Sequence, residues 1–100
     1  MIEHIVLFKL KKGVSQRQLD ECEQGVRSLK KFIPGLISVT AGYNNSPENI
    51  NKDYNWGFIV AFKDKSSRDM YVPHPEHQKV IARFVEPIIE DVLVFDYEHN

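Results

Sequence analysis

The fold of this chain is constrained most by the order in which strand-like and helix-like hydrophobic periodicity follow one another along the sequence. Four segments alternate apolar and polar residues as half-buried β-strands do, and two carry apolar residues at steps of three and four as amphipathic helices do. The strands are predicted at 2–10, 36–43, 54–63 and 92–97; the helices are predicted at 15–33 and, with a break at Pro73, from 66 to about 86. The order along the chain is therefore β-α-β-β-α-β.

This order predicts an α+β fold of the ferredoxin-like kind. In that arrangement four strands form one antiparallel sheet, and both helical segments cover the same face of it. The helix boundaries carry their own signals: Ser15 and Gln18 have the spacing of a capping box, and Pro34 forbids continuation of the first helix. Proline at position 75 suits the first turn of a helix, where its missing N–H costs nothing.

The second face of the predicted sheet is also apolar. Ile5, Leu7 and Ile59 alternate with the residues that face the helices, and one side of the last strand is apolar as well. Exposed together, they would exceed the few hundred Å² of apolar patch that a soluble monomer usually tolerates. A second copy packed sheet against sheet covers such a face, because a two-fold pairing uses the same patch on both chains. We therefore predict a homodimer.

Composition excludes several classes of protein. One hundred residues, 11.6 kDa, predict one domain spanning 1–100. Thirteen basic and fourteen acidic side chains give a net charge of −1, which provides no field to attract nucleic acid or anionic lipid. No apolar stretch approaches the ~20 residues of a membrane span. Cys22 is the single cysteine, so an internal disulfide is impossible; with no targeting signal, a cytoplasmic protein is expected.

Four segments resemble the stress-responsive α/β-barrel (Dabb) domain family. They are residues 4–11 (HIVLFKLK), 33–35 (IPG), 71–77 (YVPHPEH) and 94–97 (VFDY), and the resemblance runs from end to end. Its most specific part is the Y-x-x-H-P-x-H segment. The resemblance implies a dimeric α+β barrel in which two four-stranded sheets close face to face.

One enzyme of that family, the plant olivetolic acid cyclase, closes a polyketide ring by aldol condensation without metal or organic cofactor. The resemblance places its catalytic tyrosine and histidine on Tyr71 and His77, and a further pocket histidine on His4. A second pocket histidine falls on Trp56 and a pocket tyrosine on Val26, so this chain departs from the cyclase at both positions. The implied pocket lies between the sheet and the helices.

The residue types themselves fit proton transfer. A histidine takes and returns a proton near neutral pH, and a protonated tyrosine donates a hydrogen bond to a carbonyl or enolate oxygen. We therefore predict His77 as base and Tyr71 as oxyanion donor, with His4 in support. The ligand-binding candidates are Trp56, Phe58, His74 and Val26.

Each candidate also has a purely structural interpretation. His4 would be a core histidine whose ring nitrogens are hydrogen-bonded, and His74 would cap a helix. Tyr71 and His77 would hold the helix junction together. Trp56 would be a core residue, and Cys22 a small buried hydrophobic residue. The H-x-x-H pair of His74 and His77 supplies two imidazoles, whereas a metal site needs three or four converging ligands. No metal is predicted.

No glycine-rich phosphate loop, nucleophile elbow or basic–aromatic stripe occurs, so no cofactor and no nucleic-acid partner are expected. Two functions remain. The favoured one is a dimeric barrel protein whose sheet–helix cavity binds a small apolar or carbonyl-containing ligand. The alternative is a cofactor-independent cyclase, isomerase or lyase using the histidine–tyrosine pair. A roomy pocket beside Tyr71 and His77, with the histidine within hydrogen-bond reach of the tyrosine oxygen or of a ligand, would favour the enzyme. Trp56 and Phe58 filling that space, with His77 hydrogen-bonded only to backbone, would favour the binder.

Overall fold

The computed structural model describes all hundred residues and forms a single sheet with helices on one face. The strands are β1 (Ile2–Leu10), β2 (Leu36–Tyr43), β3 (Trp56–Phe62) and β4 (Ile89–Glu98). All three pairings are antiparallel, in the order β2-β3-β1-β4. The predicted ferredoxin-like fold with a four-stranded antiparallel sheet is confirmed.

The helical layer is less regular than the sequence pattern predicts. It contains α1 (Gln16–Ser28), α2 (Lys65–Tyr71) and α3 (Pro75–Val80). A 3₁₀ turn (Leu29–Lys31) follows α1; a π-helical turn (Ile81–Val85) and a 3₁₀ turn (Glu86–Ile88) follow α3. The prediction of regular α-helix as far as residue 33 in the first helix and residue 86 in the last was therefore wrong at the C-terminal end of each. Apolar spacing alone does not distinguish α, 3₁₀ and π turns.

Each helix begins at a side-chain cap. The predicted capping box is confirmed: the Ser15 hydroxyl accepts from the Gln18 N–H at 3.2 Å, and the Gln18 side chain accepts from the Ser15 N–H at 2.9 Å. Asp64 caps α2 by accepting from the Ser67 N–H, and His74 caps α3. These contacts satisfy backbone donors that the first turn cannot pair.

The strand register separates two faces. On one face, Ile2, Val6 and Phe8 of β1 oppose Phe62, Phe58 and Trp56 of β3, all buried. The apolar stripe of α1, made of Leu19, Cys22 and Val26, joins the same core. β4 begins three residues earlier than predicted, because Ile89 pairs with Leu10 beyond a register shift that skips Glu90 of β4.

Gly35 marks the place where α2 docks against the sheet. A Cβ added there would collide with the Oγ and Cβ atoms of the buried Ser67. Only glycine permits this close approach of α2 to the start of β2. None of the helices is long and apolar enough to cross a membrane.

Candidate functional site

A cavity of about 490 Å³ lies between the sheet and the helical layer. Its polar lining consists of His4, Tyr71, His77, Glu86 and Asp96. Its apolar lining consists of Val6, Val26, Phe58, Val72, Val80, Ile81, Val85, Ile89, Val92 and Val94. The lining residues that are exposed to solvent, Val72, Glu86, Val92 and Val94, place its opening at the β4 edge of the sheet. The cavity is thus an apolar chamber with a few polar groups.

The His77 ring is held by the backbone just before α3. Its Nδ1 lies 2.8 Å from the carbonyl oxygen of Val72. A carbonyl oxygen only accepts, so Nδ1 carries the proton and donates it to this bond. In the neutral ring Nε2 is then the unprotonated nitrogen, and no protein group hydrogen-bonds to it. This arrangement gives a proton acceptor on a residue that lines the cavity.

The surroundings of His77 favour the neutral ring. Burial lowers its pKa below the ordinary histidine value, and the nearby imidazoles of His4 and His74 lower it further, against the opposing effect of the Val72 bond. A positive charge in this apolar region would lose hydration. His77 is therefore an unprotonated base at neutral pH.

Tyr71 packs directly against His77. Their ring centroids are 4.1 Å apart, and Tyr71 is only 1% exposed. Burial, with the neighbouring Cys22 thiol, raises the pKa of Tyr71 well above its ordinary value, so the phenol stays protonated. No protein group hydrogen-bonds to the Tyr71 hydroxyl. Every fully buried polar side-chain atom has a hydrogen-bond partner, so this hydroxyl is not one of the fully buried atoms. It is therefore open to the cavity and available as a donor.

His4 reaches the same cavity from the sheet. Its Nδ1 lies 2.7 Å from Oδ1 of Asp96, the residue directly opposite it on β4. Its ring meets the Tyr71 ring edge-on, with centroids 5.8 Å apart. Tyr71 thus packs against the imidazoles of both His4 and His77, and the structure brings together the three residues predicted to carry the chemistry.

The four ligand-binding candidates divide into two pairs. Val26 and Phe58 line the cavity, whereas Trp56 and His74 do not. Trp56 is buried against Phe8, with ring centroids 5.6 Å apart. His74 accepts from the Glu76 N–H through Nδ1 at 3.1 Å and caps α3. The space beside Tyr71 is therefore not filled by tryptophan.

Two polar residues near the cavity were not predicted. Asp96 accepts from His4, and Arg68 of α2 binds the other oxygen of Asp96 with Nη1 at 2.8 Å. A carboxylate inside the apolar run of β4 is the one signal that could have singled out Asp96. Arg68 gives no such signal, because its sequence neighbourhood is that of any exposed helix.

Cys22 is fully buried, and burial raises the pKa of its thiol to about 12. The thiol therefore stays protonated and behaves as a small apolar side chain rather than a nucleophile. No cluster of three or more histidine, cysteine, aspartate or glutamate side chains is arranged to hold a metal ion.

A second, shallower concavity of about 570 Å³ lies on the opposite face of the sheet. Ile5, Leu7, Ile59 and Leu93 form its floor, and the segment 50–54 borders it. Its lining contains no histidine, cysteine, aspartate or glutamate. Its titratable side chains are those of Lys52, Tyr43 and Tyr54, and the predicted pair of Tyr71 and His77 is not among its lining residues.

Two curated relatives match nearly the whole chain. The stress-response A/B barrel domain-containing protein HS1 of Arabidopsis thaliana is 29% identical over 97 residues, covering 97% of this chain and 88% of the relative. The olivetolic acid cyclase of Cannabis sativa is 24% identical over 96 residues, covering 96% of this chain and 94% of the relative. The chain is thus similar to both over its full length.

Solved structures agree with the fold. A crystal structure from Arabidopsis thaliana superposes with a TM-score of 0.89 at 28% identity, covering 100% of this chain and 96% of that one. A dimeric ferredoxin-like protein of unknown function from Jannaschia sp. gives 0.77 at 26% identity, covering 98% of both chains. Residues 2–99 also match the family described as the stress responsive A/B barrel domain. The chain belongs to the stress-responsive A/B barrel domain family.

Proposed function

We propose that this protein catalyses proton transfer at a carbon next to a carbonyl group, in a small and mostly apolar compound bound in the helix-side cavity. The observation that carries this proposal is the hydrogen bond from His77 to the Val72 carbonyl, which leaves Nε2 as an acceptor on a ring that packs against Tyr71. The similarity of this chain to the olivetolic acid cyclase, at 24% identity, supports the same chemistry.

The two residues divide the work. His77 accepts the proton of the C–H bond at Nε2. The electron pair of that bond forms the C=C bond of an enolate, and the carbonyl π pair moves to the oxygen. The Tyr71 hydroxyl donates a hydrogen bond to the resulting oxyanion, and its raised pKa keeps it protonated while it does so. The enolate then attacks a second carbonyl, expels a leaving group or takes the proton back at another carbon. These outcomes are aldol closure, elimination and isomerisation.

The cavity defines the class of ligand. About 490 Å³ falls within the ~300–1,000 Å³ of ordinary small-molecule sites. Ten of its lining residues have aliphatic or aromatic hydrocarbon side chains, and none is a lysine or an arginine. An uncharged, largely hydrocarbon carbonyl compound is the ligand that this lining accommodates.

Deuterium exchange tests the proposal without knowledge of the natural substrate. Acetophenone in D₂O exchanges its methyl protons slowly, and ¹H NMR follows the loss of that signal. We expect the protein to accelerate exchange, and His77→Gln and Tyr71→Phe each to reduce the acceleration by about 100-fold or more. His99→Gln, a variant at a histidine that does not line the cavity, is the matched control and should keep the full rate.

The pH dependence gives a second check on His77. Because the pKa of His77 is lowered, the exchange rate should rise with pH through a midpoint below 6.5 and level off before neutrality. A midpoint above 7 would contradict the assignment of His77 as base.

A second candidate is a ligand-binding protein without catalysis. The one side-chain hydrogen bond of His77 goes to backbone, which is the pattern predicted above for a binder and suits a histidine that holds the junction of α2 and α3. In that case acetophenone would bind and shift cavity resonances, but neither the wild type nor any variant would accelerate exchange.

We also infer that the protein forms a homodimer through the face of the sheet that no helix covers. Ile59, Leu93, Phe95 and Tyr97 are 36%, 43%, 58% and 47% exposed there. The accessible surface of the chain is 6350 Å², above the ~5,800 Å² expected of a folded monomer of this mass. Similar structures from Jannaschia sp., Thermobifida fusca and Bacteroides fragilis are described as dimeric.

Sedimentation equilibrium at micromolar concentration tests the dimer. We expect particles of twice the 11.6 kDa chain mass. Phe95→Asp buries a charge in the interface and should shift the population to monomer, whereas Met70→Asp, at a residue of α2 with 52% exposure, should not. Wild-type protein that sediments only as monomer would overturn the inference.

A further inference from the structure

The side chain of Arg68 links the helical layer to the edge strand at the cavity. Its Nη1 donates to Oδ2 of Asp96 at 2.8 Å, and its Nε donates to Oδ1 of Asp69 at 2.8 Å. Its side chain is 23% exposed, although it belongs to a surface helix. The guanidinium therefore bridges α2 and β4 through charge-assisted hydrogen bonds, which are the stronger kind.

Asp96 divides its two oxygens between two partners. Oδ1 accepts from His4 and Oδ2 accepts from Arg68. The side chains of His4 and Asp96 are 9% and 20% exposed. A carboxylate on an edge strand would otherwise turn toward water, because hydration competes with a single hydrogen bond. Arg68 binds the Asp96 oxygen that faces α2, and it thereby fixes the orientation in which the carboxylate meets His4.

The orientation of His4 follows from that contact. Since a carboxylate accepts, Nδ1 of His4 carries the proton of the 2.7 Å bond. In the neutral ring Nε2 is then the unprotonated nitrogen, and no protein group hydrogen-bonds to it. The rings of His4 and His77 both pack against Tyr71.

We propose that Arg68 is a positioning residue which, through Asp96, holds His4 as a second proton-transfer group in the cavity. This inference rests on the proposed proton-transfer function and deepens it. The groups that face His4 are Asp96 from β4, Tyr71 from α2 and His77 from α3. Arg68 touches none of the reacting atoms; it acts by fixing the carboxylate that sets the tautomer.

Histidine ¹⁵N NMR reads that tautomer directly. In the wild type we expect His4 to show protonated Nδ1 and unprotonated Nε2 when neutral. In Arg68→Gln the ring should populate both tautomers, and the acetophenone exchange rate should fall about 10-fold, as for other groups that orient a reacting ligand or base. Arg68→Lys keeps a positive charge at the site and should restore most of the single-tautomer signal.

Arg27→Gln is the matched control, because Arg27 pairs with Glu23 on the surface of α1 at 2.8 Å. It should leave the His4 tautomer and the exchange rate unchanged. The His77 tautomer should be the same in all of these proteins, since its partner is the Val72 carbonyl. A general loss of structure would instead alter both histidines, and Arg68→Lys would then provide the comparison.

Failure of this inference differs from failure of the proposed function. If the wild type accelerates exchange and Arg68→Gln keeps both the rate and the His4 tautomer, the positioning role of Arg68 is wrong and the proposed function stands. If no protein accelerates exchange, the proposed function and the catalytic part of this inference are both wrong, while the tautomer measurement still decides whether Arg68 orients His4.

Discussion

The two faces of the sheet are both apolar, yet only the helix-covered one holds the cavity lined by His4, Tyr71 and His77. On the helix-covered face, β1 contributes Ile2, His4 and Val6, all buried. On the other face it contributes Ile5 and Leu7, with no helix over them. Because side chains alternate along a strand, one nine-residue strand contributes to the helix-side cavity and to the uncovered face at once. We propose that the covered face binds the ligand and that the bare face pairs with a second copy.

The largest expected effect separates the faces by stability. Phe62 is fully buried on the covered face, so Phe62→Ala should lower the free energy of unfolding by ~3–5 kcal/mol. Phe95→Ala on the bare face should cost less, and its cost should grow with protein concentration, because only the dimer buries that ring. Urea unfolding at two protein concentrations checks this. Equal, concentration-independent costs for both variants would mean that the faces do not differ in this way.

A pair of glycines sharpens the same comparison. Gly35 lies against Ser67 of the helical layer, whereas nothing lies within 4 Å of a Cβ added to Gly42 on the bare side of β2. Gly35→Ala should therefore lower stability by ~1–3 kcal/mol, an overpacking cost. Gly42→Ala should change the stability of the isolated chain by less than ~0.5 kcal/mol. Thermal unfolding of both variants measures the difference, and similar midpoints would contradict the docking of α2.

Two histidines should respond to pH with opposite sign. The pKa of His77 is lowered by burial, so its protonation destabilises the fold and stability is lost as pH falls below 6.5. The pKa of His99 is raised, first by Glu3 at 2.7 Å and then by a backbone bond, so its contribution is present below 6.5 and is lost as pH rises through the raised value.

Thermal midpoints between pH 5 and 8 detect this difference, which we expect to be a few degrees at most. The cost of His77→Gln should shrink toward pH 5, and the cost of His99→Gln should shrink toward pH 8. The same trend in both variants would contradict the assigned directions.

Much of the fold could be predicted because it is encoded locally. The alternation in β1 and the capping box at Ser15 each depend on neighbours in sequence, and each matches the structure. The π-helical turn Ile81–Val85 could not be predicted, because its apolar residues keep a spacing compatible with a regular helix. That turn lines the cavity through Ile81 and Val85, so part of the shape of the site was also beyond prediction.

The residues of the candidate site also divide into those that local sequence could predict and those that it could not. Tyr71 and His77 are six residues apart and belong to one recognisable segment. Asp96 meets His4 only through the pairing of β1 with β4, 92 residues apart in sequence. Arg68 depends on that pairing and on the docking of α2. Sequence patterns show residue types on a face, whereas the contacts across it depend on tertiary structure.

Ligand binding tests the central claim, that the helix-covered face holds the functional cavity, most directly. Methyl NMR spectra of the protein titrated with acetophenone report on both faces at once. We predict that the resonances of Val26, Val80 and Val85 shift with added ligand while those of Leu7, Ile59 and Leu93 do not. Shifts confined to the second group would place binding on the bare face and contradict the account.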